Sequence, residues 1–82
     1  MLNQQLLQRI ATSPQVMGGK PVIKGTRLTV EYILGLLAQG ATHAEILEEY
    51  DGLEQEDLLA CFLFATKLLE NTTFMPLAME MA

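Results

Sequence analysis

The 82-residue sequence predicts a mainly α-helical domain, with three helices behind a short N-terminal strand-and-loop arm and an apolar C-terminal tail. Three observations carry this prediction. Apolar residues recur at helical spacing between residues 30 and 70, glycine and proline crowd into residues 16–27, and good N-caps stand at Thr29 and Thr42.

The Gln- and Leu-rich stretch 3–9 suits the start of a short helix, but Ile10-Ala11-Thr12 before Ser13-Pro14 reads as a brief strand closed by a turn. Residues 16–27 hold three Gly and one Pro, so they run as turns joined by an extended piece at 21–24. From Thr29 a helix runs to Gln39, where Gly40 stops it; its clearly non-apolar positions, Glu31, Gly35 and Gln39, recur every four residues and predict one narrow wet stripe on an otherwise buried helix. Thr42-His43-Ala44-Glu45 is a capping box for a second helix, with Ile46, Leu47 and Tyr50 facing inward, and Asp51-Gly52 ends it. The third helix is expected at about 54–70. Its first turn carries Glu54, Glu56 and Asp57, as the helix dipole favours, and Asn71-Thr72-Thr73 marks its end. Three such helices, the last two joined by a tight Gly-containing turn, describe a homeodomain-like helix-turn-helix. The expected organisation is a single domain, 1–82: a basic arm and Gly/Pro loop (1–28), a three-helix core (29–71) and an apolar tail (72–82).

Half of the residues are hydrophobic and only 18% are charged, a richer apolar content than so short a chain usually hides, because small domains bury the smallest share of their surface. A second domain and a disordered chain are both excluded. Cys61 is the single cysteine, which rules out an internal disulfide and a thiolate metal cluster. The polar start does not read as a signal peptide, and the longest apolar run, 58–65, has eight residues against the ~20 needed to span a bilayer. A cytoplasmic protein with no membrane association is the expectation.

The net charge of −5 hides an asymmetry: residues 1–30 hold Arg9, Lys20, Lys24 and Arg27 and no acid, while residues 31–82 hold all ten acids and only Lys67. Such a basic arm either docks on its own acidic body or offers a surface to phosphate or another acidic partner.

The run Gly18-Gly19-Lys20-Pro21-Val22-Ile23-Lys24-Gly25-Thr26-Arg27, followed by Leu28-Thr29-Val30 and a helix to Gln39-Gly40, resembles the domain of unknown function 433 family. The likeness continues through the capping box, Tyr50-Asp51 and Leu53-Glu54-Gln55-Glu56-Asp57, covering about residues 10–65. It departs at Glu54, where the family usually has a small hydroxyl cap, and in the Met-rich tail. The resemblance implies a homeodomain-like fold and an antitoxin role of the VapB-like class, in which the protein binds and neutralises a PIN-like ribonuclease toxin and autoregulates its operon. The alternative is a dimeric helix-turn-helix DNA-binding regulator with no toxin partner, and a third reading is a bare interaction scaffold.

Enzymatic chemistry finds little support. Gly18-Gly19-Lys20 is followed by Pro21 instead of a hydroxyl residue and by no helix, so it is not a Walker loop. His43, the single histidine, sits in a first helical turn, and Cys61 lies in an apolar run. No catalytic residue, cofactor or metal is therefore expected.

For operator DNA, the third helix would offer Glu54, Glu56 and Asp57 to a polyanion, so contacts are assigned to Lys20, Lys24 and Arg27, with Arg9 in support. The competing reading folds Arg27 back onto those carboxylates as a structural ion pair. Residues 58–64 are apolar around the whole helix, which predicts burial on every face and a homodimer through Leu59, Phe62 and Leu63, burying on the order of 1,200–2,000 Å². In the tail, Phe74, Met75, Leu77 and Met81 are assigned to toxin binding or, alternatively, to covering the open side of the third helix.

Overall fold

The fold was read from a computed structural model, which describes residues 3–70. Among these the chain forms four α-helices and a two-stranded antiparallel sheet: α1 (Asn3–Leu7), β1 (Ile10–Ala11), β2 (Val22–Ile23), α2 (Val30–Ala38), α3 (His43–Glu49) and α4 (Gln55–Glu70). The arm thus contains both elements its sequence suggested, a helical turn and then a strand. Ile10 pairs with Ile23 and Ala11 with Val22. α4 packs against α1, α2, α3 and β1, and the arm is tied to α2 as well, where the Val30 N–H donates to the Pro21 carbonyl at 2.9 Å and Ile23 packs with Val30 and Ile33.

Local chemistry accounts for the element ends. Thr29 caps α2 by accepting from the Tyr32 backbone N–H at 2.9 Å. Thr42 and Glu45 form the reciprocal capping box of α3, with bonds of 2.8 and 3.1 Å. Gly40, at φ 104°, takes the left-handed conformation that ends α2, a position where a side chain would be strained.

The core is Ile23, Val30, Ile33, Ile46, Leu58 and Cys61, with Ile10, Leu28, Leu34 and Phe64 among the partly buried residues packed against it. Burial of this set supplies the main favourable term, at roughly 25 cal/mol per Å² of apolar area removed from water. One expectation needs correction. The wet face of α2 is broader than the stripe Glu31, Gly35, Gln39: only Val30 and Ile33 are fully buried, and Tyr32 is 45% exposed. Within the described residues α4 buries Asp57, Leu58, Ala60 and Cys61 on one side, while Leu59 and Phe62 are 38% and 41% exposed and Leu63 is half-buried, which leaves open the face that the sequence assigns to a second copy, a partner or the tail. The physical reason is size, since three shorter helices and a two-residue-per-strand sheet cannot surround a sixteen-residue helix.

Candidate functional site

Two places on the molecule gather polar side chains around apolar surface. The first is the corner where the arm meets the start of α4. Arg9 Nη1 donates to Asp57 Oδ1 and to Glu54 Oε1, both at 3.0 Å. Asp57, with a side chain 9% exposed, also accepts the Glu54 backbone N–H at 2.9 Å through its second oxygen, which caps α4 from its third residue. Lys24 N–H donates to the Arg9 carbonyl at 2.7 Å and fixes the arginine's backbone. Its carboxylate neighbours, the Asp57 bond foremost, raise the Arg9 pKa further above its ordinary value. The expected ion pair to the α4 carboxylates therefore exists, but Arg9 makes it. Arg27 does not, because the β1–β2 pairing delivers Arg9 to that corner while Arg27 lies beyond the sharp loop at Gly25.

The second place is a groove of about 570 Å³ on the outer side of α2. Its apolar lining includes Met17, Leu28 and Leu36, with Gly35 leaving the helix surface low between them. Its polar rim carries Lys20, Arg27, Glu31 and Gln39. At one side stand Tyr32 and Tyr50, rings edge to face with centroids 6.3 Å apart and hydroxyls 2.7 Å apart. That hydrogen bond is the main reason the Tyr50 hydroxyl holds its proton above the usual tyrosine range. The loop wall is unusual: Met17, Gly18 and Gly19 all have positive φ, at 50°, 67° and 87°, and form a tight turn closed by Gly19 N–H to Val16 O and Lys20 N–H to Met17 O. For the two glycines this is free of steric cost, whereas for Met17 it costs roughly 1–2 kcal/mol.

The residues assigned to DNA are thus dispersed in their environments. Lys20 pairs with Glu31 at 3.1 Å on the surface; Lys24 and Arg27 are exposed, and among the described residues neither side chain has a hydrogen-bond or ionic partner. Arg27 also borders a smaller cavity of about 410 Å³ beside β1 and β2. Leu59 and Phe62 lie together on the outer side of α4, where the His43 ring approaches Phe62 at 6.0 Å and Gln55 bonds His43 Nδ1 at 3.0 Å. Phe74, Met75, Leu77 and Met81 lie outside the described residues. Cys61 is fully buried, and burial pushes its thiol up to about 11, so it stays protonated at neutral pH. Among the described residues no three His, Cys, Asp or Glu side chains gather to hold a metal, and no helix is long and apolar enough to cross a membrane.

Sequence reading missed Met17, Tyr32 and Tyr50. Met17 carried one legible signal, its place immediately before Gly18-Gly19, where a left-handed turn is cheapest to continue. The tyrosine pair joins residues 18 positions apart and had none.

Comparison with known proteins places the chain. It is 30% identical over 56 residues to the uncharacterized protein y4eO of Sinorhizobium fredii (strain NBRC 101917 / NGR234); the match takes in 68% of this chain and spans about a quarter, 25%, of that relative. The crystal structure of a DUF433 member protein from Anabaena variabilis ATCC 29413 superposes with a TM-score of 0.73 at 36% identity, covering 82% of this chain and 66% of that one. Residues 10–65, the segment from β1 into the middle of α4, match the family described as Protein of unknown function (DUF433), and the chain belongs to that family.

Proposed function

We infer that this chain is a non-enzymatic binding protein of antitoxin type, which pairs with itself through α4 and neutralises a PIN-like ribonuclease, with binding to its own operator as a second activity. The observation that carries the reading is the outer side of α4, where Leu59 and Phe62 stand 38% and 41% exposed beside half-buried Leu63. Large apolar side chains clustered in solvent on a small domain favour a protein partner over a catalytic role. The nature of that partner rests on the family resemblance of the sequence. In this reading α3, the turn at Asp51-Gly52 and α4 act as a homeodomain-like helix-turn-helix, and Phe74, Met75, Leu77 and Met81 of the tail contact the toxin, an assignment made on their sequence alone.

The test is co-expression with a PIN-like nuclease, taken from the adjacent gene where that gene encodes one. Co-purification and suppressed RNA cleavage are expected, and a Leu59→Glu/Phe62→Glu variant should sediment as a monomer. Removal of residues 73–82 should leave the dimer intact and abolish neutralisation. A nuclease that is neither bound nor inhibited by the full chain overturns the toxin assignment.

A second reading, a dimeric DNA-binding regulator without a toxin, draws on the exposed and unpaired side chains of Lys24 and Arg27. Lys20 joins them, because a surface ion pair such as Lys20–Glu31 is worth only about 0–1 kcal/mol and yields to a phosphate. The start of α4 cannot contribute, since Glu54 keeps a carboxylate at the surface. Steeply salt-dependent operator binding, weakened alike on all sequences by Lys20→Ala/Lys24→Ala, would favour this reading.

A further inference from the structure

We propose that the groove on the outer side of α2 is a docking site for an acidic, apolar segment of a partner protein, with one carboxylate seated on Arg27 and an aliphatic side chain held among Met17, Tyr32 and Leu36. The site shares no residue with the exposed patch of α4, so the proposal stands whether or not the antitoxin reading does.

Charge complementarity selects the occupant. Of the two cations on the rim, Lys20 is engaged by Glu31 at 3.1 Å, whereas Arg27 has no hydrogen-bond or ionic partner among the described residues. An unpaired guanidinium at the edge of an apolar floor recognises a carboxylate best, through two parallel N–H donors. The floor then selects what accompanies the carboxylate, because Met17 and Leu36 offer aliphatic surface and Met adapts to varied side-chain shapes. A second polar anchor comes from the tyrosine pair. Whichever of Tyr32 and Tyr50 donates to the other, one hydroxyl hydrogen is left over for a carbonyl of the occupant.

Dimensions favour a peptide. The lining runs along α2 from Thr29 to Gln39, ten residues of helical rise or about 15 Å, which is the reach of four or five extended residues at about 3.3 Å each. The wall facing α2 is held by strain: Met17 is 43% exposed with φ 50°, a left-handed backbone that its own packing does not repay. The turn presents the exposed methionine at the edge of the apolar groove, where an occupant would cover it.

The experiment titrates the isotope-labelled full chain with a blocked Leu-Leu-Ala-Glu peptide and its Gln twin, reading backbone amide shifts. The expected result is perturbation centred on Met17, Tyr32 and Leu36, with the Glu peptide bound roughly five-fold tighter than the Gln twin, the ratio expected of one exposed charge-assisted contact. Arg27→Gln should erase that ratio and Lys24→Gln should leave it. Absence of shifts at millimolar peptide, shifts centred on Leu59 and Phe62, or equal affinity for the two peptides would each overturn the proposal.

Discussion

Arg9 and Arg27 belong to the same basic arm, and each ends beside a helix of the same acidic body, yet one is consumed by the fold and the other is left for solvent. Arg9 bridges Glu54 and Asp57 at 3.0 Å and is held in place by β1 and by the Lys24 N–H. Arg27 borders a groove whose one nearby acid, Glu31, is already engaged by Lys20. The corner around Arg9 has its polar groups satisfied and carries a helix cap, whereas the groove around Arg27 has an unpaired charge, a spare tyrosine hydroxyl hydrogen and a strained Met17. The fold places its electrostatic completeness at one end of the arm, where it stabilises, and leaves incompleteness at the other, where a ligand would supply what is missing.

The largest effect is expected at the corner's centre. Asp57→Ala removes both the cap of α4 and the partner of Arg9, and should lower unfolding free energy by about 3 kcal/mol in urea titration, against a change within about 0.5 kcal/mol for Glu31→Ala at the groove. Equal costs would break the contrast.

A second probe uses pH on the buried side of α4, where Cys61 lies one turn beyond Asp57. Burial raises the thiol from its ordinary 9.0 to about 11, so with rising pH the unfolded chain loses this proton first. Between pH 9 and 11 the folded state holds more protons, and stability falls across that window by about 3 kcal/mol at most. The raised Tyr50 hydroxyl adds to the decline in the same direction from about pH 10 upward. Thermal melts of Cys61→Ala should show a flatter alkaline slope than the parent protein.

Next in size, Arg9→Ala should lower the melting temperature, by less than Asp57→Ala does, because its side chain is 34% exposed but leaves a nearly buried Asp57 carboxylate behind. Arg27→Ala should fall within about 0.5 kcal/mol. A melting temperature that drops as far for Arg27→Ala as for Arg9→Ala would show that Arg27 has a structural role that its surroundings do not reveal. The smallest gain should come from Met17→Gly, which relieves the left-handed backbone and stabilises the chain by up to about 1 kcal/mol while removing the groove's methionine wall. A loss of stability on that substitution would mean that the side chain is packed more tightly than its exposure indicates.

Much of the helical framework was legible because its signals are local. The capping threonines, the Thr42–Glu45 box, the glycine stop at Gly40 and the extended piece around Val22-Ile23 each depend on residues within three or four positions of one another. The candidate site was legible only in part. Lys20, Arg27 and the Gly18-Gly19 turn stood out by composition, while Tyr32 was read as an inward position on a central helix and Met17 was passed over.

By itself the sequence determined where the three core helices and the extended arm lie, since backbone hydrogen bonding, capping and turn chemistry act over short separations and tolerate few alternatives. Tertiary structure alone decided which arginine reaches the start of α4, 48 positions away from Arg9, and which tyrosine hydroxyls meet across 18 positions. It also decided which side of an α4 that is apolar all round becomes the core. Those outcomes depend on how the arm and helices pack against one another, and no spacing along the chain encodes an angle or a distance between elements that only burial of the shared core fixes.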